Sequence, residues 1–299
     1  MSFSLLSLLL APSAQAACPT GMPDALYRNC INAELAGLAA AVVSAVQTTS
    51  ELEAELDAAN DYIDALETYL SVDTATDSVV FTGANVYVQS GSGYTDDNTT
   101  EVYGDGSGSL TGLGNLIVGY DEGAKSDKSG SHNFVLGTDN TYSSYGGIVS
   151  GARSSVRGPH AASIGGEYGG ADGEYSVVIS GRGNQAQDDF DVAVGGEGNI
   201  ASGRYSSVFG GTENTASATY GSVTGGKYNA ADGGWSSISG GYSNTTTGQF
   251  SWIGGGQDNE ASGSRAAVTS GQSNTASGDY STVYGGNGNT ASDTDEYAP

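Results

Sequence analysis

The sequence predicts a mainly β protein, a parallel β-solenoid of 15-residue coils over residues 113–299, preceded by a coiled coil over 33–71. Three observations carry this. Asparagine recurs at 184, 199, 214, 229, 244, 259, 274 and 289, at one constant interval without a gap. The chain holds 48 Gly in 299 residues, far above the usual ~7%. Upstream of the repeat, apolar residues follow a heptad pattern.

The glycine content argues against a large conventional core, because Gly brings no side chain and loses the most backbone entropy on ordering. Thirty-four acidic residues against nine basic ones leave a net charge of −25. Phosphate recognition needs a basic footprint, so nucleic acid is not an expected partner. An anionic membrane surface would repel the chain.

Residues 1–16, MSFSLLSLLLAPSAQA, carry a leucine run followed by Ala14-Gln15-Ala16. This is the pattern of a cleavable signal peptide without its basic start, and it predicts a secreted protein. No later segment reads as apolar over the ~18 residues that cross a bilayer, so no transmembrane segment is expected after signal removal. Residues 17–32 hold the two cysteines, Cys18 and Cys30. In an exported chain they read first as a disulfide, within one chain or between chains. With no His or further Cys near them they do not make a zinc site.

Over 33–71, heptad position a holds Leu35, Val42, Thr49, Leu56, Ile63 and Leu70, and position d holds Leu38, Ala45, Leu52, Ala59 and Leu66. So narrow a stripe needs partner helices to bury it. The helix would span ~55 Å. Residues 72–112 read as a connector, with short strands at 79–81 and 85–88 and a loop rich in Gly, Ser, Asp and Thr over 91–108.

The repeat consensus is N-x-A-S-G-x-Y-S-S-V-x-G-G-x-x, best preserved at 199–213 and 274–288. Copies at Ser154 and Gly169 lack the Asn, and 116–119 and 134–137 resemble the same strand at irregular spacing. A period this short suffices for two short strands and two turns. The β-branched tenth position (Val178, Val208, Val223, Ile238, Ile253, Val268, Val283) should point inward. The Gly pair after it permits positive φ. At ~4.8 Å per coil, about eleven coils make a rod of roughly 50 Å. One aliphatic residue per coil is a thin core, which predicts a homotrimer pooling its inner faces. Asn184, Asn199, Asn214, Asn229, Asn244, Asn259, Asn274 and Asn289 should stack as a structural amide ladder.

The seventh position carries His160, Tyr175, Phe190, Tyr205, Tyr220, Trp235, Phe250, Arg265 and Tyr280. Its structural reading is aromatic stacking between coils. Its functional reading is a flat platform for a surface glycan or protein ligand, with Tyr205, Tyr220, Trp235, Phe250 and Tyr280 as candidate contacts. No G-x-S-x-G elbow or converging acid pair stands out, so no catalytic residue, cofactor or enzymatic activity is expected. Calcium at Asp188, Asp189, Asp191 or at 293–296 is the one metal reading, but the spacing fits no loop motif. Asn98-Thr-Thr and Asn244-Thr-Thr match glycosylation sequons.

The copies SVFGGTENTASATYGSVTGGKYNAADG and FVLGTDN resemble the head repeats of trimeric autotransporter adhesins, the YadA-like head. The resemblance covers the whole repeat region, 113–299. It implies a left-handed parallel β-roll, a trimer, a coiled-coil partner and adhesion at a bacterial cell surface. The pattern departs from that family in its longer period with Gly-Gly, in a coiled coil that precedes the head, and in a C-terminus that carries no membrane barrel. The expected function is a trimeric fibre adhesin making multivalent contacts. The alternatives are a structural fibre or appendage subunit, and a solenoid that binds ice or a mineral on a regular face. The last is disfavoured by a face of aromatics where a flat Thr row would be needed.

Overall fold

A computed structural model describes residues 23–95, 97, 109–120, 122–123 and 126–299. The signal-like segment, Cys18, the Asn98 sequon and most of the 91–108 loop lie outside them. The chain divides into two units, 1–86 and 87–299.

The described residues of the first unit form one helix, α1 (Asp24–Glu67), and an antiparallel hairpin, β1 (Leu70–Asp73) with β2 (Ser78–Phe81). Pro23 precedes α1 in extended conformation and Asp24 sits in the first turn, where a carboxylate meets the helix dipole favourably. The helix therefore starts well before the predicted coiled coil and includes Cys30, which is not a free thiol. It also stops earlier. Leu70 pairs with Phe81 in the hairpin and is not a heptad residue. The predicted strand at 79–81 lies in β2, whereas 85–88 forms none. The heptad residues of α1 are exposed: Leu35, Leu38, Leu52 and Leu56 each keep more than half their surface.

One expectation needs correcting. The stretch Arg28–Glu67 includes an 18-residue window with mean hydropathy 1.5, long and apolar enough to cross a membrane by length and composition alone. Its hydropathy comes from Ala and Val between the heptad leucines. A search for long runs of large apolar residues passes over it.

The second unit is a parallel β-solenoid. Thirteen strands form one sheet and eleven form another, and each strand pairs in parallel with its equivalent one coil away. We call them the long and the short sheet. From Ala162 onward the register keeps a single period, as in the pairs Ala162 with Val177, Ser222 with Ser237, and Thr282 with Tyr297. The first coils are irregular. Leu116 pairs with Phe134, a longer step than the regular one, and Phe134 pairs with Ile148, a shorter step. Each coil has three ladders, one more than the consensus suggested. Position 14 makes a third row of isolated bridges, from Ala152 to Asn287. At ~4.8 Å per strand the long sheet extends roughly 58 Å.

The interior closes within a single chain. Position 10 is fully buried at Val208, Val223, Ile238, Ile253, Val268 and Val283, and so is position 3 at Ala201, Ala216, Ala231, Ala261, Ala276 and Ala291. The expectation of one aliphatic residue per coil missed this alanine row, and with it the reason to pool inner faces among three chains. Position 8, usually Ser, is buried at the corner between them.

The Asn row ties successive coils together, largely through backbone groups. At Asn229 the side-chain Nδ2 donates to the carbonyls of Gly225 and Gly241, both at 3.0 Å. Its Oδ1 accepts the backbone N–H of Asn244 at 3.0 Å. The pattern repeats from Asn184 to Asn289, and Asn140 occupies the same row ahead of the two copies that lack it. Asn244 is fully buried in this row, so its side chain is not accessible in the folded protein. The second Gly of each pair belongs to the same corner. Gly226 has φ +90°, and a Cβ there would run into the Gly241 carbonyl and Nδ2 of Asn229.

Replacing Asn229 by Ala should cost about 2–5 kcal/mol, since several buried partners lose their bonds at once. Calorimetry of the full chain measures this. A loss under about 1 kcal/mol, the net worth of a single ordinary hydrogen bond, would show that the row is not what holds the coils in step.

Candidate ligand surface

The seventh-position row forms one continuous stack. His160, Tyr175, Phe190, Tyr205, Tyr220, Trp235 and Phe250 follow one another with ring centroids 4.7–5.3 Å apart and interplanar angles of 3–21°. Arg265 continues the row, its guanidinium 5.1 Å from the rings of both Phe250 and Tyr280. The spacing is that of the strands, because the register places equivalent side chains one strand apart.

Each of these residues sits at a corner with φ between 55° and 65°. That left-handed conformation costs an L-residue roughly 1–2 kcal/mol. A stacked pair returns ~0.5–1.5 kcal/mol, so stacking offsets much of the strain of the corner. The rings remain 38–48% exposed at Tyr205, Tyr220, Trp235, Phe250 and Tyr280. The faces of Tyr205, Tyr220, Trp235 and Phe250 are covered by neighbouring rings, and at Phe250 and Tyr280 the Arg265 guanidinium stands in for one. What reaches solvent is a line of ring edges and phenol hydroxyls. The structure thus brings all five candidate contacts into one row, with Tyr205, Tyr220, Trp235 and Phe250 stacked on one another. The row also lies on a corner and leaves the sheet faces free.

One coil buries a carboxylate in the interior. Asp191 replaces the usual Ser of position 8 and is fully buried. Its Oδ2 accepts the Asp188 N–H at 2.9 Å, and its Oδ1 accepts the N–H and hydroxyl of Ser206 at 2.8 and 3.0 Å. Burial dominates, opposed by these bonds and aided by the nearby Asp188 carboxylate, and pushes its pKa up to about 6. Among the described residues no three His, Cys, Asp or Glu side chains stand together as a metal site.

A shallow cavity of about 360 Å³ opens at the start of the solenoid, lined by residues 87–91, Gly93, Tyr94, Thr95 and His132. Sequence reasoning did not find it, since the residues that meet there are 42 apart. Ser90, Asp97 and His132 are the residue types of a hydrolytic triad, but they are wired differently. The Ser90 hydroxyl donates to Asp97 at 2.5 Å, while His132 Nε2 accepts the backbone N–H of Ser90 at 3.2 Å. His132 Nδ1 then donates to the Thr95 carbonyl at 2.8 Å. The imidazole is not aimed at the Ser90 hydroxyl. Burial raises the pKa of Asp97, but hydrogen bonds from Ser131, Ser90 and Thr111 outweigh it and hold the carboxyl well below the usual range.

No known protein family matches the chain. No curated protein is found to be related to it either. The reading of its surface rests on its own geometry.

Two outcomes are expected. Asp191 is protonated in the folded protein up to about pH 6 and unprotonated in the unfolded chain above about pH 4. The wild type is therefore relatively most stable below pH 4 and loses stability as pH rises through 6, by about 3 kcal/mol at most. Asp191→Ser should flatten that loss in melts run from pH 4 to 8. Separately, Tyr220→Ser removes the stacks with Tyr205 and Trp235 and should lower stability by about 1–3 kcal/mol. An unchanged melting curve would count against a structural role for the row.

Proposed function

We propose that this protein is a secreted or surface-displayed fibre adhesin, a left-handed trimeric β-roll carried with a trimeric coiled coil. The observation that carries the reading is unpartnered apolar surface. The outward side of the long sheet presents Ile164, Ile179 and Val194 in one register row and Phe134 and Ile148 in the row beside it, each at least partly exposed. The leucine stripe of α1 is exposed as well. Monomers rarely leave such patches uncovered. Their occupant in this reading is two further copies of the same chain, because a strand-by-strand aliphatic row is self-complementary in rise and spacing.

Trimerisation multiplies every surface repeat by three, which suits weak multivalent attachment to a cell, matrix or glycan surface. A second reading is a structural fibre or appendage subunit with no ligand of its own. The face-to-face stacking of the aromatic row favours it, because the most conspicuous side chains are engaged with each other.

Sedimentation velocity of the mature chain should give three times the monomer mass. The double substitution Ile164→Asp with Ile179→Asp should shift the particle toward monomer with an unchanged β-sheet spectrum. A stable, fully folded wild-type monomer at micromolar concentration would overturn the assembly.

A further inference from the structure

The outward side of the long sheet changes character part-way along. Up to Val194 its rows are mainly aliphatic. From Ser207 on, position 9 reads Ser207, Ser222, Ser237, Trp252, Ala267 and Thr282, and position 11 reads Phe209, Thr224, Ser239, Gly254, Thr269 and Tyr284. None of these twelve is charged, on a chain of net charge −25.

Trp252 stands out in its surroundings. It and Gly254 are alternate residues on one face. A Cβ built on Gly254 would lie 2.8 and 3.0 Å from indole atoms Cη2 and Cζ2. The ring therefore lies across the space that a position 11 side chain fills in the neighbouring coils. Its Nε1 points back to Ser239 Oγ of the preceding coil at 3.4 Å. The indole is 39% exposed, and among the described residues no other ring stacks on it. This is what the corner row lacks.

We propose that the sheet surface around Trp252 binds a neutral β-linked polysaccharide of gluco-configured pyranoses. This rests on the adhesin reading, with the contact between chains confined to the aliphatic rows that end at Val194, and moves its ligand surface from the aromatic row to the uncharged remainder of the sheet. Such sugars carry equatorial hydroxyls and axial C–H bonds, so each ring has an apolar face. The C–H groups meet the negative face of the indole. The rim hydroxyls meet Ser237, Ser239 and Thr269 on adjacent strands. The absence of charge on this surface suits a neutral glycan, while the net charge of the whole repels an anionic one. Strands recur every ~4.8 Å, close to the rise per sugar of an extended β-linked chain. A polymer laid along the solenoid therefore meets one coil per sugar. Phe209 lies three strands from Trp252 on one side and Tyr284 two strands away on the other, each more than half exposed, and both extend the track.

The test is depletion of the full chain by crystalline cellulose and by chitin, with heparin beads as the anionic control. Wild type should be depleted by at least one of the two neutral polymers and not by heparin. Trp252→Leu should cut the bound fraction at least tenfold with an unchanged melting curve. Trp235→Leu, which changes the corner row, should still bind. The proposal is overturned if Trp252→Leu binds like wild type, if neither polymer is bound, or if heparin is bound as well as they are. Sedimentation of the same samples separates the two readings. A trimer that ignores both polymers overturns only the glycan site, and a monomer that binds through Trp252 upholds the site while removing the trimer.

Discussion

One carboxamide per coil holds this solenoid in register. Each Asn gives its two N–H bonds to carbonyls at the Gly corners of its own coil and the next, and its oxygen takes the backbone N–H of the following Asn. A hydrogen-bonded strand pair tolerates a slip, and a one-residue slip would turn every inward side chain out. The Asn bridge forbids it, because the amide fits only where two Gly corners lie one above the other. The other vertical rows follow from that alignment: Val over Val, Ala over Ala, ring over ring.

The interior is small, and most of what distinguishes one coil from another lies on the surface. The position 14 row alternates Glu167, Arg182 and Glu197 with contacts of 2.6–3.7 Å beginning at Arg153. Exposed pairs of this sort contribute little each, but they temper repulsion where like charges would otherwise stack one strand apart. The long sheet divides its outward face into an aliphatic stretch and an uncharged aromatic and hydroxyl stretch. A fold that repeats its inside is free to vary its outside by position, and position along the axis becomes the variable that carries function.

The coil period, the inward Val row, the Asn row and the parallel stacking were all legible in the sequence, because each is a one-residue-per-period signal. Alanine at position 3 was just as regular. It escaped notice because a small residue looks like spacer until it is seen at zero exposure, as Ala216 and Ala231 are. The aromatic row was legible as a row, but not the orientation of its rings, which depends on a left-handed corner that aromatics rarely adopt. Trp252 and Gly254 could not be linked from sequence either, since the Gly there looks like one more copy of a glycine-rich repeat. The helix was found from its heptads. Its ends were misplaced because Leu70 satisfies both a heptad and a strand, and pairing with Phe81 decides between them.

The uniformity of the register from Asn199 to Asn289 has a further implication. Excising any one full period in that stretch would rejoin a Gly corner to an Asn that fits it equally well, and inserting one would do the same. Length can thus change by whole coils without any new kind of contact, each coil adding its own increment of stability, and tandem duplication or loss within the gene would yield proteins of graded reach. Such a molecule can adjust the distance it spans without redesigning any contact within it.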